Sequence, residues 1–213
     1  MFGPAVSSTT ANRQGNLITA SLPLLSDPTP GHYAHATWGG GTGKTELYRN
    51  GKIFSGGLSP NGGGFQVPAD RSHYRLAMSA TRQADVSTKV EAVWEFDSKT
   101  TRDATALPLL AVRFSPRLDG DGSAPAGGVF QIPFLVDRTA TASRIRKVDV
   151  EASFDDGTTW TKAEVRLLDD GGVVTVRHPS LADSSGYVSL RTSARDVHDN
   201  TVNQNILHAY RLR

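Results

Sequence analysis

The residues of this chain that could do chemistry are an acidic Gly-containing turn, a Gly-Lys-Thr loop, six histidines and two Asp-rich stretches. Ser153 to Trp160 read SFDDGTTW, the S-x-D-x-G-x-T-W pattern of an Asp-box hairpin. In such a turn Asp155 accepts backbone N–H groups, Gly157 permits positive φ, and Trp160 lays its indole under the hairpin. All three roles are structural. Gly39-Gly-Gly-Thr-Gly-Lys-Thr45 contains the Gly-Lys-Thr of a phosphate loop, but Trp38 stands where that motif needs its first glycine. The following Arg49-Asn50-Gly51-Lys52 carries the Asn-Gly of a two-residue hairpin in place of a helix start, which argues against a nucleotide site.

The histidines, at 32, 35, 73, 178, 198 and 208, form no H-E-x-x-H or comparable ligand cluster. His32 and His35 would point to opposite faces of an extended strand and could not close on one ion. Asp119-Gly-Asp121-Gly-Ser, and Asp196 with Asp199 and Asn200, are reminiscent of the start of a calcium loop, but both lack the terminal bidentate Glu. Turns between strands are rich in these residues for backbone reasons alone, so no cofactor is assigned, and calcium is the one ion left open. The nearest G-x-S-x-G sequence, Gly57 to Asn61, loses its last glycine and has no strand-turn-helix context. The absence of cysteine removes disulfides, thiolate metal sites and cysteine nucleophiles together.

The elements that must position these residues are strands. No window of a dozen residues keeps a helical apolar stripe free of Gly and Pro. Alternation and turn signals place strands at Asn16 to Leu24, His32 to Thr37, Thr45 to Asn50, Lys52 to Ser55, Gly64 to Val67, Tyr74 to Thr81 and Thr88 to Asp97. In the second half they fall at Leu107 to Phe114, Val129 to Asp137, Arg146 to Phe154, Thr161 to Leu168, Val173 to Arg177, Tyr187 to Val197 and Thr201 to Arg211. Two runs of short strands at this spacing predict an all-β chain of two tandem immunoglobulin- or fibronectin-III-like β-sandwiches. The boundary is placed in the polar stretch Ser98 to Thr105, giving domains 1–102, with flexible first residues, and 103–213. Each half ends alike, with a Tyr-led strand (Tyr74, Tyr187) before a longer one. Tyr74 is placed to form a tyrosine corner, its phenol bonding back to backbone. The expected core uses Leu22, Trp94, Phe96, Phe114, Phe134, Trp160 and Leu190. Cleavage at Thr101 should then yield two folded pieces.

Charge narrows the partners. The net +2 comes from the first 103 residues, the remainder being balanced, so no basic face for nucleic acid is implied. No apolar run reaches the ~20 residues of a membrane-spanning helix, and the N-terminus has neither the basic nor the apolar region of an export signal. An exported parent therefore implies a signal already removed.

Two families share local pattern with the chain. Sialidase propellers carry the Asp-box hairpin several times, away from the catalytic centre; here it occurs once, and the length filled by two sandwiches leaves no room for a propeller. The second resemblance covers nearly the whole chain. Phe2-Gly-Pro, Leu22-Pro-Leu-Leu25, Leu47-Tyr-Arg-Asn-Gly51, Tyr74-Arg-Leu76 and Val93-Trp-Glu-Phe96 recur in order with Ala106 to Pro116, Ala124 to Gly127, Val148 to Trp160, Val188 to Thr201 and Ile206 to Tyr210. This succession resembles the C-terminal region of large secreted subtilisin-like serine peptidases of actinobacteria. The resemblance implies a secreted, extracellular parent endopeptidase with this segment as its non-catalytic tail. The H-G-T and G-T-S-M-A motifs of the catalytic domain are absent, so no catalytic residue carries over and the chain as given is expected not to be an enzyme. The implied partners are the catalytic domain of the same parent chain and protein substrate. The tail would then support the peptidase's stability or dock its substrate; alternatively it is an autonomous glycan- or protein-binding module. For a binding surface the candidates are Trp38, Tyr48, Phe54 and Phe65, set against their reading as core.

Overall fold

The computed structural model describes residues 1–6, 10–29 and 32–213, with backbone alone for Thr10, Trp38 and Gly39. Among these residues there are seventeen strands and two short 3-10 turns, and no α-helix. The first half comprises β1 (Thr10–Gly15), β2 (Leu17–Ser21), β3 (Thr42–Arg49), β4 (Lys52–Gly57), β5 (Gly62–Gln66), β6 (Ser72–Thr81), β7 (Lys89–Ser98) and β8 (Thr101–Ala106). The second comprises β9 (Leu110–Phe114), β10 (Ser123–Ala124), β11 (Val129–Arg138), β12 (Ile145–Ser153), β13 (Thr161–Lys162), β14 (Glu164–Leu168), β15 (Gly171–Arg177), β16 (Tyr187–Asp196) and β17 (Thr201–Leu212).

These strands make three sheets of an all-β sandwich fold, one sheet running through both halves. The order β5-β2-β1-β8 covers the first half and β14-β15-β11-β9 covers the second. Between them the path β13-β12-β16-β17-β7-β6-β3-β4 runs without a break through both halves. The join is an antiparallel ladder between β17 and β7, from Thr201 opposite Glu95 to Leu207 opposite Lys89. A short parallel pairing of β10 with β17 completes this sheet.

Alternation explains the ladder. Val90, Ala92, Trp94 and Phe96 on β7, and Val202, Gln204 and Ile206 on β17, are buried, while the residues between them face outward. Buried apolar residues from both halves form one continuous cluster. Polar contacts bind the halves too. The buried Trp94 indole donates to Leu110 O at 2.7 Å. Within the second half, the Gln204 amide donates to Val112 O at 2.9 Å and accepts from Val112 N at 2.6 Å, taking the place of a strand neighbour for β9. The buried Arg113 guanidinium gathers the carbonyls of Asp27, Thr29 and His32 and lies over the Tyr33 ring at 5.5 Å.

Several local expectations change here. The segment predicted as a strand from His32 to Thr37 has no strand among its residues; the His32 carbonyl is drawn to Arg113, and Ala36–Gly39 is a 3-10 turn. The polar stretch predicted as a linker forms the end of β7 and then β8, an edge strand paired with β1. The Tyr74 corner does not form. Its phenol oxygen is buried with no hydrogen-bond partner among the described residues, and its ring stacks on Phe96 at 6.1 Å and under Arg13 at 5.9 Å. Trp160 is half-buried and outside the apolar cluster, whereas the other six expected core residues are inside it.

Candidate functional site

The outer face of the shared sheet is a concave surface that both halves build together. Because the strand registers are continuous, outward side chains align in rows across the strands. The central row reads Asp149, Ser193, Asn203, Val93, Ala77 and Glu46, from β12 to β3. Its middle residues are short, so they form a floor. One flanking row reads Glu151, Arg191, Asn205, Glu91, Ser79 and Lys44. The other reads Lys147, Arg195, Thr201, Glu95, Arg75 and Tyr48. Long charged side chains thus wall a trough running perpendicular to the strands. Six strands at ~4.8 Å spacing make it ~24 Å long. An open hollow of about 630 Å³ lies along it, and a second of about 320 Å³ continues it toward Lys147.

The walls are charged yet internally neutralised. Arg191 pairs with Glu151 at 2.7 Å, Lys147 with Asp149 at 2.7 Å, Lys44 with Glu46 at 3.0 Å, and Lys89 with Glu91 at 2.7 Å. Across the three rows acidic and basic side chains are equal in number. An aromatic ring stands toward each end, held by an arginine: Arg75 lies 4.7 Å from the Tyr48 ring centroid and Arg191 lies 4.6 Å from that of Trp160.

Trp160 meets the wall residue Arg191 from its place in the Asp-box turn. Asp155 accepts from Thr159 N at 2.8 Å, Thr159 Oγ1 at 2.6 Å and Ser153 Oγ at 2.7 Å, and the Thr159 hydroxyl leads these donors in holding its carboxyl down to about 2. Gly157 has φ 85° and accepts the Trp160 indole N–H at 3.0 Å. The hairpin is therefore a rigid bracket for the indole.

The sequence-derived surface candidates separate. Tyr48 is half-buried at the trough wall, Phe54 is 41% exposed on the edge strand β4, and Phe65 is 5% exposed in the core. Trp38 lies in the 3-10 turn, its side chain outside the described residues. The residues that sequence reasoning missed are the trough floor and walls, which only a cross-strand register across both halves brings into line.

Two contacts approach a nucleophile-base arrangement. Ser143 Oγ lies 2.6 Å from His198 Nδ1, but that ring has no carboxylate partner among the described residues. Thr88 Oγ1 lies 3.5 Å from His208 Nδ1, whose Nε2 meets Asp156 at 2.9 Å. That first distance is at the outer limit of a hydrogen bond. His208 is the positive-φ residue of an irregularity in β17, at φ 52°, with its N–H on Ser189 Oγ and its C=O on Ser87 N. It pins a strand irregularity, and its ring stacks on Tyr187 at 4.2 Å.

The Asp-rich stretches are satisfied as turns. Burial pushes the Asp196 carboxyl up, but donors from the Asn200 side chain and from Ser143, His198 and Asn200 N–H groups outweigh it and hold the carboxyl low. Asp121 bonds Ser123, Asp119 pairs with Arg213, and Asp199 pairs with Arg146 and Arg195. Among the described residues no group of three metal-ligating side chains converges, and no helix is long and apolar enough to cross a membrane. Comparison with protein-family models found no match, and comparison with curated protein sequences found none either.

Proposed function

We propose that this chain is a non-catalytic docking region that holds an elongated polymer in the trough of the shared sheet, as the accessory tail of a secreted subtilisin-like serine endopeptidase. One observation carries it. The β17–β7 ladder makes a single ~24 Å trough from both halves, a length suited to a chain and not to a small molecule. The extracellular peptidase parent rests on the sequence resemblance. The immunoglobulin- or fibronectin-III-like type is supported by the repeated orders β1-β2-β5 with β7-β6-β3-β4, and β9-β11-β15 with β17-β16-β12-β13.

Docking and scaffolding separate experimentally. Removing residues 1–213 from the parent should leave hydrolysis of small peptides intact and reduce retention on, or cleavage of, insoluble polymeric material. If only the melting temperature of the parent falls, the region is a scaffold and the docking proposal fails.

A further inference from the structure

Resting on that docking proposal, we infer that the occupant of the trough is an uncharged linear polysaccharide. Three features select it. The first is electrostatic: the wall carboxylates Glu151, Asp149 and Glu46 each have a cation within 3.0 Å, and the three rows carry no net charge. A polyanion or polycation would meet as much repulsion as attraction along such a surface, and gains no net steering from it. A neutral chain suffers no such penalty.

The second is hydrogen-bond chemistry. A sugar hydroxyl donates and accepts at once, and so needs both kinds of partner close together. The rows interleave them: Arg191 beside Asn205 beside Glu91 on one wall, and Arg195 beside Thr201 beside Glu95 on the other. Planar carboxylate, amide and guanidinium groups also offer paired atoms to neighbouring hydroxyls. The third is shape. The floor of Ser193, Asn203, Val93 and Ala77 has no deep apolar pocket that would receive the side chains of a peptide. Nor can a chain lying across the strands add to their ladder, so a peptide there would forgo the main-chain pairing that sheet edges supply. Tyr48 and Trp160, already stacked by arginines, stand toward the two ends where sugar faces could lie against rings.

The test uses the 213-residue chain and an array of neutral linear oligosaccharides (glucans, xylans, mannans, galactans and chitin fragments), with polyuronates and an unfolded casein peptide alongside. Val93→Arg raises a long side chain from the floor on an outward strand position, and Leu168→Ser, on the other sheet, serves as control. The expected result is binding of at least one neutral glycan, weakened at least tenfold by Val93→Arg and unchanged by Leu168→Ser, with both variants melting like the parent sequence. Glu91→Gln should weaken the same glycan severalfold without altering folding. If Val93→Arg misfolds, Ala77→Ser and Asn203→Ala probe the same floor. Casein or polyuronate binding that Val93→Arg abolishes, with no neutral glycan bound, overturns the polysaccharide while leaving docking in place. No binding by any probe, or glycan binding that all floor variants leave untouched, overturns the trough as the site.

Discussion

Alternate residues of β7 and β17 do opposite work. On the inner face, Trp94 and Gln204 are almost completely buried, Trp94 donating across the halves to β9 and Gln204 tying β17 to that same strand; on the outer face, Val93, Asn203 and Asn205 belong to the trough. One strand pair thus serves as seam on one side and as floor of the proposed docking trough on the other. The difference teaches that function at this surface can be altered one residue away from positions that cannot be touched.

The strongest way to break the comparison is Trp94→Ala. Loss of a fully buried indole that also donates across the halves should cost about 3–5 kcal/mol, read from chemical denaturation. Gln204→Leu should cost roughly 2–4 kcal/mol, since the Val112 N–H and C=O would be left buried without partners. A cost near zero would show that β9 does not depend on β17.

A pH titration sharpens the inner face further. Pro125 O can only accept, so His178 donates from Nδ1 at 2.7 Å, and its bare Nε2 accepts the Tyr210 hydroxyl at 2.9 Å. Burial pushes the imidazole below its ordinary value, with the Pro125 bond opposing weakly, and burial also pushes the Tyr210 phenol up. Since the folded His178 value is lowered, its stabilisation is complete above the unfolded value of about 6.5 and is lost as pH falls through the folded value. The melting temperature should therefore drop on acidification below about 6.5, and His178→Phe should flatten that part of the profile. An unchanged slope would remove His178 from the account. The smallest effect belongs to the outer face: Arg191→Ala should change stability by no more than about 0.5 kcal/mol, because its pair with Glu151 is solvent-exposed.

How much of this was legible in the sequence follows from burial. Strands with one dry face announced themselves: β6 and β7 alternate over ten residues each, and β16 does so nearly as well. β8 did not, because an edge strand exposed along most of its length has the composition of a linker. Arg113 hid the placement of Asp27, Thr29 and His32, since carbonyls drawn to a buried guanidinium leave no alternation to read. The Asp-box residues were visible in their spacing, but the placement of Trp160 under Arg191 was not, because it depends on a cross-strand neighbour. Least visible was the trough, whose rows depend on β17 lying beside β7. A nick at Thr101 probes that contact. With the ladder intact the two fragments should migrate as one complex, and two separate folded monomers would argue for independent cores.

The ladder also sets a condition on synthesis. β7 is complete long before Thr201–Leu207 emerges to pair with it, so the nascent first half presents an open strand edge for the whole time the second half is being made. Only β17 closes that edge, and it must do so while also seating on β16. A chain shortened before Thr201 would leave β7 and β16 each with one open edge, and intermolecular aggregation is the outcome expected of it.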